Sequence, residues 1–398
     1  MKIINTLIFD EKNGFLPGEI EIDGAFIKRV SYDSAGATGP GAGGGAGNAN
    51  VGGGDVIDAQ GCYAVPGLID IHLHGCAGHN FYEAEADGLS KMLKYQAENG
   101  VTSVCPSTLT LSEEMLTLAC GRLASYNRTN TDPENAKMIG VHLEGPFISP
   151  QRCGAQNPAY AITPDAAMYD RLRKASGDSV KIIAVAPEIE GALEFIEYAS
   201  KSAVVSVAHT VADYDAAAKA FKRGASHVTH LYNAMTPLTH RAPNVIGAAF
   251  DDPSATVELI CDGVHLHPAA MRIAMRLFGP ERVVIVSDSM MATGLGDGTY
   301  DLGGLVVNVK GKEARLVEGG NIASSVSNLM DCLRVAVKDV GIPLAEAVRC
   351  SSTNPARVLG AQDERGRIAQ GLIADLVLLD ADLNVAEVFV RGRALRRN

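Results

Sequence analysis

A chain of 398 residues with 46% hydrophobic content has room for one large domain and a smaller one beside it. Its formal net charge of -11 argues against a nucleic-acid partner, because binding a phosphate backbone needs a basic surface. The opening Met-Lys-Ile-Ile-Asn-Thr-Leu-Ile-Phe-Asp has too short and interrupted an apolar run for a signal peptide or a membrane span, so a cytoplasmic location with no membrane partner is expected.

The first elements are short alternating apolar stretches with tight turns such as Asp23-Gly24, and the same texture returns at the far end around Arg391-Gly392. Residues 1–64 and 366–398 are therefore expected to pair as one small β-sandwich domain. Within the first part, 34–55 is rich in Gly, Ala and Asn and cannot bury apolar surface, so it reads as an excursion from that domain. A phosphate-cradling loop is disfavoured there because no Lys-Ser/Thr pair and no strand-to-helix context follow.

Residues 65–365 carry the pattern that decides the fold. Eight β-branched or apolar runs appear at 65–72, 102–107, 138–143, 181–186, 204–208, 227–230, 257–261 and 283–287. Helical periodicity separates most of them, at 87–99, 112–126, 164–175, 189–201, 212–223 and 268–278, and two further helices follow at 327–340 and 344–350. Only 237–254 reads as loop. Alternation of this kind predicts an α/β chain with a TIM-like (β/α)8 barrel. The eight cysteines form no Cys-x-x-Cys pair and are read as reduced thiols, with Cys153 the one near the site described next.

A barrel enzyme places its chemistry where the strands stop. Here the runs end in Asp70-Ile71-His72-Leu73-His74, His142-Leu143-Glu144, Ala208-His209, Thr229-His230 and Ser287-Asp288. Two residues apart on an extended strand, His72 and His74 point to one face. A lone His-x-His is weak, but with Glu144, His209, His230 and Asp288 it forms a mixed nitrogen and carboxylate set suited to zinc, iron, manganese or cobalt. One or two divalent ions per chain are expected. A single carboxylate that takes a proton from water and passes it to a leaving amine is also needed for amide cleavage, and Asp288 is the candidate.

The His-x-His after Pro66-Gly67-Leu68-Ile69-Asp70, the two later histidines and the final strand-end aspartate resemble the amidohydrolase superfamily. Within it, His142-Leu143-Glu144-Gly145-Pro146-Phe147, Gly154-Ala155-Gln156-Asn157-Pro158, Thr229-His230-Leu231-Tyr232-Asn233-Ala234-Met235, Cys261-Asp262-Gly263-Val264-His265 and Ser287-Asp288-Ser289-Met290 are similar to the family of N-acetylglucosamine-6-phosphate deacetylases. That resemblance covers nearly the whole chain. It implies that Glu144, His209 and His230 hold the principal metal and that His72 and His74 complete a second position bridged by Glu144. It also implies an amino-sugar phosphate substrate near Ala155 and Gln156. The phosphate would meet the backbone N–H groups of Asn233 and Ala234 and the guanidinium of Arg241, with His265 entering from the neighbouring subunit of a homodimer.

Two departures stand out: Gln156 replaces a histidine found in some members, and Ile322-Ala323-Ser324-Ser325 matches only loosely. His142, His227 and His267 have no implied role and read as supporting or packing residues. The implied activity is release of acetate from N-acetylglucosamine 6-phosphate. Its galactosamine epimer, a cyclic amidase or deaminase, and a non-catalytic barrel assembly protein remain the alternatives.

Overall fold

The computed structural model describes residues 1–33, 56–130 and 132–395, so most of the Gly-rich segment expected as an excursion lies outside the described residues. Both chain ends meet in one sheet of eight strands, ordered Arg393–Ala394, Val385–Val390, Leu376–Leu379, Tyr63–Pro66, Lys2–Asp10, Gly14–Asp23 and Phe26–Tyr32, with Val56–Asp58 also paired to Lys2–Asp10. Where two stacked sheets were expected, hydrogen bonding therefore runs continuously through one. The first hairpin forms because the Asp10 carboxylate accepts the amides of Lys12 and Asn13, closing the turn. Ile3, Ile8, Ile20, Ile22, Ile27, Leu378 and Phe389 give this sheet an apolar core of its own.

Leu68–Asp70, Val101–Val104 and Lys137–Met138 form a parallel sheet of three strands. A second sheet holds Val141–Leu143, Val180–Val185, Val204–Val207, Ala225–Val228, Thr256–Ile260 and Val283–Val286, all parallel and in sequence order. Parallel bridges at Ser107–His142 and Leu73–Ser289 link residues just beyond Val101–Val104 and Leu68–Asp70 to the two ends of the six-stranded sheet. These strands are nearly all buried, as expected for runs that are apolar on both faces. No helix among the described residues is long and apolar enough to cross a membrane.

Four expectations change. The run 65–72 splits at Gly67: Tyr63–Pro66 pairs with the C-terminal strand Leu376–Leu379, and the parallel strand starts at Leu68. Glycine is required at the split, since a Cβ on Gly67 would lie 2.0 Å from Thr102 Oγ1. The run 138–143 likewise divides into Lys137–Met138 and Val141–Leu143.

The expected loop 237–254 contains a helix, Asn244–Asp251, which buries Val245, Ile246, Ala248 and Ala249. Pro243 and Gly247 hide it in the sequence, yet the two depend on each other, because a Cβ at 247 would lie 2.4 Å from Pro243 Cβ. A three-stranded antiparallel sheet, Gly298–Leu302, Leu305–Lys310 and Glu313–Leu316, stands between the last parallel strand and the helix Leu329–Lys338. Its signal was the Gly303-Gly304 turn between alternating stretches. The helix after it, expected at 327–340, starts at Leu329, fixed by a reciprocal cap between Asn328 and Asp331.

Candidate metal centre

His72 and His74 lie just beyond Leu68–Asp70, in backbone register with the end of the last parallel strand: Asp288 N–H donates to the His72 carbonyl at 2.9 Å, and His74 N–H to that of Ser289 at 2.7 Å. His209, His230 and Asp288 follow their strands in left-handed backbone, with φ of 44°, 32° and 48°. Non-glycine residues pay for that conformation, and three of them at strand ends facing one another is a concentration of strain typical of functional sites.

Glu144 is the common centre. Its Oε1 lies 3.1 Å from His209 Nε2, 3.1 Å from His230 Nε2 and 3.4 Å from His72 Nε2, and its Oε2 is 3.2 Å from His74 Nε2. Asp288 Oδ1 lies 3.3 Å from His74 Nε2 and 3.6 Å from His72 Nε2. The six side chains thus fall into two ligand groups, Glu144 with His209 and His230, and His72 with His74 and Asp288.

The donor chemistry fits a cation. His209 Nδ1 sits 2.9 Å from the Arg152 carbonyl, which can only accept, so that nitrogen carries the proton and Nε2 presents a lone pair. Yet His209 Nε2 is 3.0 Å from His230 Nε2, with the Glu144 carboxylate beside both. His72 Nε2 and Glu144 Oε2 are buried without any hydrogen-bond partner among the described residues. Electron-rich atoms packed this closely, with orphans among them, are accounted for by positive charge in their midst.

The surroundings also favour charged groups at this centre. Burial alone would raise Glu144, but His72, His209 and His230 hold its carboxyl well below the ordinary range. Asp288 is lowered as well, burial being outweighed by His72 and His74. Burial disfavours charge on His74, whose pKa is nevertheless raised to about 9 by Asp288 and Glu144.

Beneath this layer lies a carboxylate that the sequence reading overlooked. Glu258, fully buried on Thr256–Ile260, reaches His72 Nδ1 at 2.8 Å, His227 Nε2 at 3.1 Å and the backbone N–H of His230 at 3.0 Å. Burial would raise its pKa, and His72 and His227 instead hold it well below the usual range. His142 stacks edge-on against His72 with centroids 4.9 Å apart, and burial pushes its pKa down to about 3. His267 caps the helix Pro268–Phe278 through Nδ1 and takes no part in the centre.

A cavity of about 350 Å³ opens above the centre and is lined by His74, Glu144, His209, His230 and Asp288. Ala155, Gln156, Asn233, Ala234 and His265 line it too, so the structure brings these expected site residues together. Gln156 is held by the Thr110 amide at 2.6 Å on its oxygen, which turns Nε2 towards His209 at 3.3 Å.

Three placements differ from expectation. His265 lines the cavity of its own chain, pinned there by Asp262, whose carboxylate meets its Nδ1 at 2.7 Å and accepts its backbone N–H at 2.9 Å. The Asn233 N–H is not free for a ligand, because it closes the turn onto the His230 carbonyl at 2.9 Å, whereas the Ala234 N–H has no acceptor among the described residues. Arg241 is exposed and does not line the cavity. The cation that does is Arg152, whose guanidinium makes no ion pair among the described residues; as the basic side chain between the Glu144 and Gln156 motifs, it was visible in the sequence. Leu302, Asn321 and Ile322 reach the cavity from the antiparallel insertion and the turn after it. Cys153 is a buried thiol 3.5 Å from the Ser149 carbonyl and is not part of the lining.

The family model described as the Amidohydrolase family matches residues 63–395. This chain belongs to the amidohydrolase family. Among its relatives, N-acetylglucosamine-6-phosphate deacetylase of Bacillus subtilis is 35% identical over 82% of this chain and 83% of its own. N-acetylgalactosamine-6-phosphate deacetylase of Escherichia coli O157:H7 is 36% identical over 82% and 86%. The structure also superposes on a mutant N-acetyl-D-glucosamine-6-phosphate deacetylase from Mycobacterium smegmatis in complex with N-acetyl-D-glucosamine-6-phosphate, with a TM-score of 0.89, 34% identity and coverage of 99% and 98%. As an amidohydrolase the chain is a hydrolase of a family that generally depends on divalent metal, and its two buried ligand groups suit that dependence.

Proposed function

We propose that this amidohydrolase removes the acetyl group from N-acetylglucosamine 6-phosphate, yielding acetate and glucosamine 6-phosphate in amino-sugar catabolism. The observation that carries the reading is Glu144, which belongs to one ligand group and lies 3.2 Å from His74 of the other, at the floor of a cavity that also presents Arg152 and the free Ala234 N–H. Glu144, His209 and His230 would hold the principal ion, and His72, His74 and Asp288 a second. A divalent ion there, whether zinc, iron, manganese or cobalt, lowers the pKa of water towards neutrality and polarises a carbonyl.

The remaining work falls to the chain itself. Asp288 takes the proton from the attacking water and returns it to the nitrogen that leaves, so that acetate and a free amine result. The Ser324 hydroxyl donates to the Asp288 backbone carbonyl at 2.6 Å and sits 3.3 Å from its Oδ1, which helps fix the residue in place. Gln156 lends an amide N–H that does not titrate. For the phosphate, a guanidinium and a backbone N–H supply the charge and the donor that an acidic chain lacks overall.

The same reading treats the two parallel sheets as one closed (β/α)8 barrel spanning 65–365, supported by the bridges at both edges, with 1–64 and 366–398 as the small β domain. A cytoplasmic homodimer completes it, on the strength of the resemblance, and sedimentation velocity checks the dimer. The N-acetylgalactosamine 6-phosphate epimer is the second reading, favoured by the relative that is 36% identical. Acetate release measured on both sugar phosphates and on both plain sugars tests the proposal. Turnover of the phosphorylated gluco sugar well above the others is expected, and equal turnover with and without phosphate contradicts it.

A further inference from the structure

We propose that Glu258 is a positioning residue that sets the metal affinity of both ligand groups at once. One of its oxygens, Oε2, meets His72 Nδ1 at 2.8 Å and the His230 backbone N–H at 3.0 Å. His72 belongs to one group and His230 to the other. A carboxylate can only accept, so His72 must protonate Nδ1 and turn the lone pair of Nε2 towards Glu144 and Asp288. The same oxygen anchors the main chain of His230, whose φ of 32° is otherwise unfavourable, and so keeps its Nε2 on Glu144.

The position of Glu258 explains why one residue serves both groups. Thr256–Ile260 runs beside Ala225–Val228, which puts Glu258 below His230, and its side chain crosses to the strand that carries His72. The Glu258 carbonyl accepts the Leu231 N–H at 2.9 Å, so both the backbone and the side chain of this residue secure the turn that bears His230. His227 Nε2 holds the other oxygen, Oε1, at 3.1 Å and stops the carboxylate from rotating. His72 Nδ1, Glu258 and His142 lie close enough to look like a third ligand set, but His72 cannot give Nδ1 to an ion and keep this bond.

This inference rests on the two groups binding metal, which metal content of the wild type establishes separately. The test compares Glu258→Gln, which removes the negative charge behind His72 and His230 and leaves a single accepting oxygen, with His227→Gln, whose amide N–H can still donate to Oε1 and keep the carboxylate from rotating. Zinc is withdrawn from each loaded protein by a chromophoric chelator. Glu258→Gln is expected to weaken binding at both positions by about 10- to 100-fold, and His227→Gln to stay within about threefold of wild type. Wild-type affinity in Glu258→Gln, weakening confined to one position, or equal weakening in His227→Gln overturns the proposal. Thermal unfolding of the metal-free variants shows whether the fold is retained. Should Glu258→Gln not fold, the zinc-loaded wild type labelled with 15N-histidine decides instead, with the His72 signals assigned against a His72→Gln sample. A protonated Nδ1 and a metal-bound Nε2 on His72 are expected, and the opposite tautomer rejects the account.

Discussion

The core of the terminal sheet and the floor of the cavity are both buried, yet they are built on opposite principles. Around Ile3, Ile8, Ile20 and Phe389 the core is aliphatic and aromatic, and each side chain stabilises by leaving water. Around Glu144 the interior holds Asp288, Glu258, His72, His74, His142, His209, His227 and His230, groups whose burial costs free energy unless each is paired. One region therefore stores stability and the other spends it on holding charge in place. At the cavity floor His209, His230 and Asp288 all take left-handed backbone, three residues that face one another.

Substitutions should separate the two regions by what they change. The largest effect is expected for Asp288→Asn, with kcat falling by about 10²- to 10⁴-fold if it carries the proton, while the melting temperature stays near that of wild type. A near-normal kcat would move the proton transfer to another group. Next, Arg152→Ala should raise KM for the phosphorylated sugar by about 10- to 100-fold, the loss of one charge-assisted contact, and leave the plain sugar unaffected. An unchanged KM would shift phosphate recognition to Arg241, which lies outside its own cavity and would have to come from a second copy.

His72→Ala should cost one ion and leave the group of Glu144, His209 and His230 occupied, which metal counting before and after substitution reads. Equal counts would remove the His-x-His pair from the ligand set. The smallest effect on catalysis belongs to the other region: Ile8→Ala should lower stability by about 2 to 5 kcal/mol in denaturant unfolding with kcat unchanged. A large loss of kcat in the folded variant would show that the terminal sheet is coupled to the centre.

How much of this was legible depended on where a residue sits relative to an apolar run. His72, His74, Glu144, His209, His230 and Asp288 each end or follow a run, so strand-end logic found them. Glu258 lies inside one, Thr256–Ile260, and a lone acid in a buried strand was the signal to ask what it bonds. The helix Asn244–Asp251 was missed because Pro243 and Gly247 weaken its propensity while packing decides it. The direction of His265 and the turn that occupies the Asn233 N–H depend on the path of loops through space, which residue type does not encode.

The central claim is that the cavity floor is a metal centre that drives hydrolysis of an acetamide. Acetate release from N-acetylglucosamine 6-phosphate, followed on one preparation before chelation, after it and after zinc is restored, tests this most directly. Turnover should vanish with the metal and return with it. Full turnover by a preparation shown to be metal-free would contradict the account.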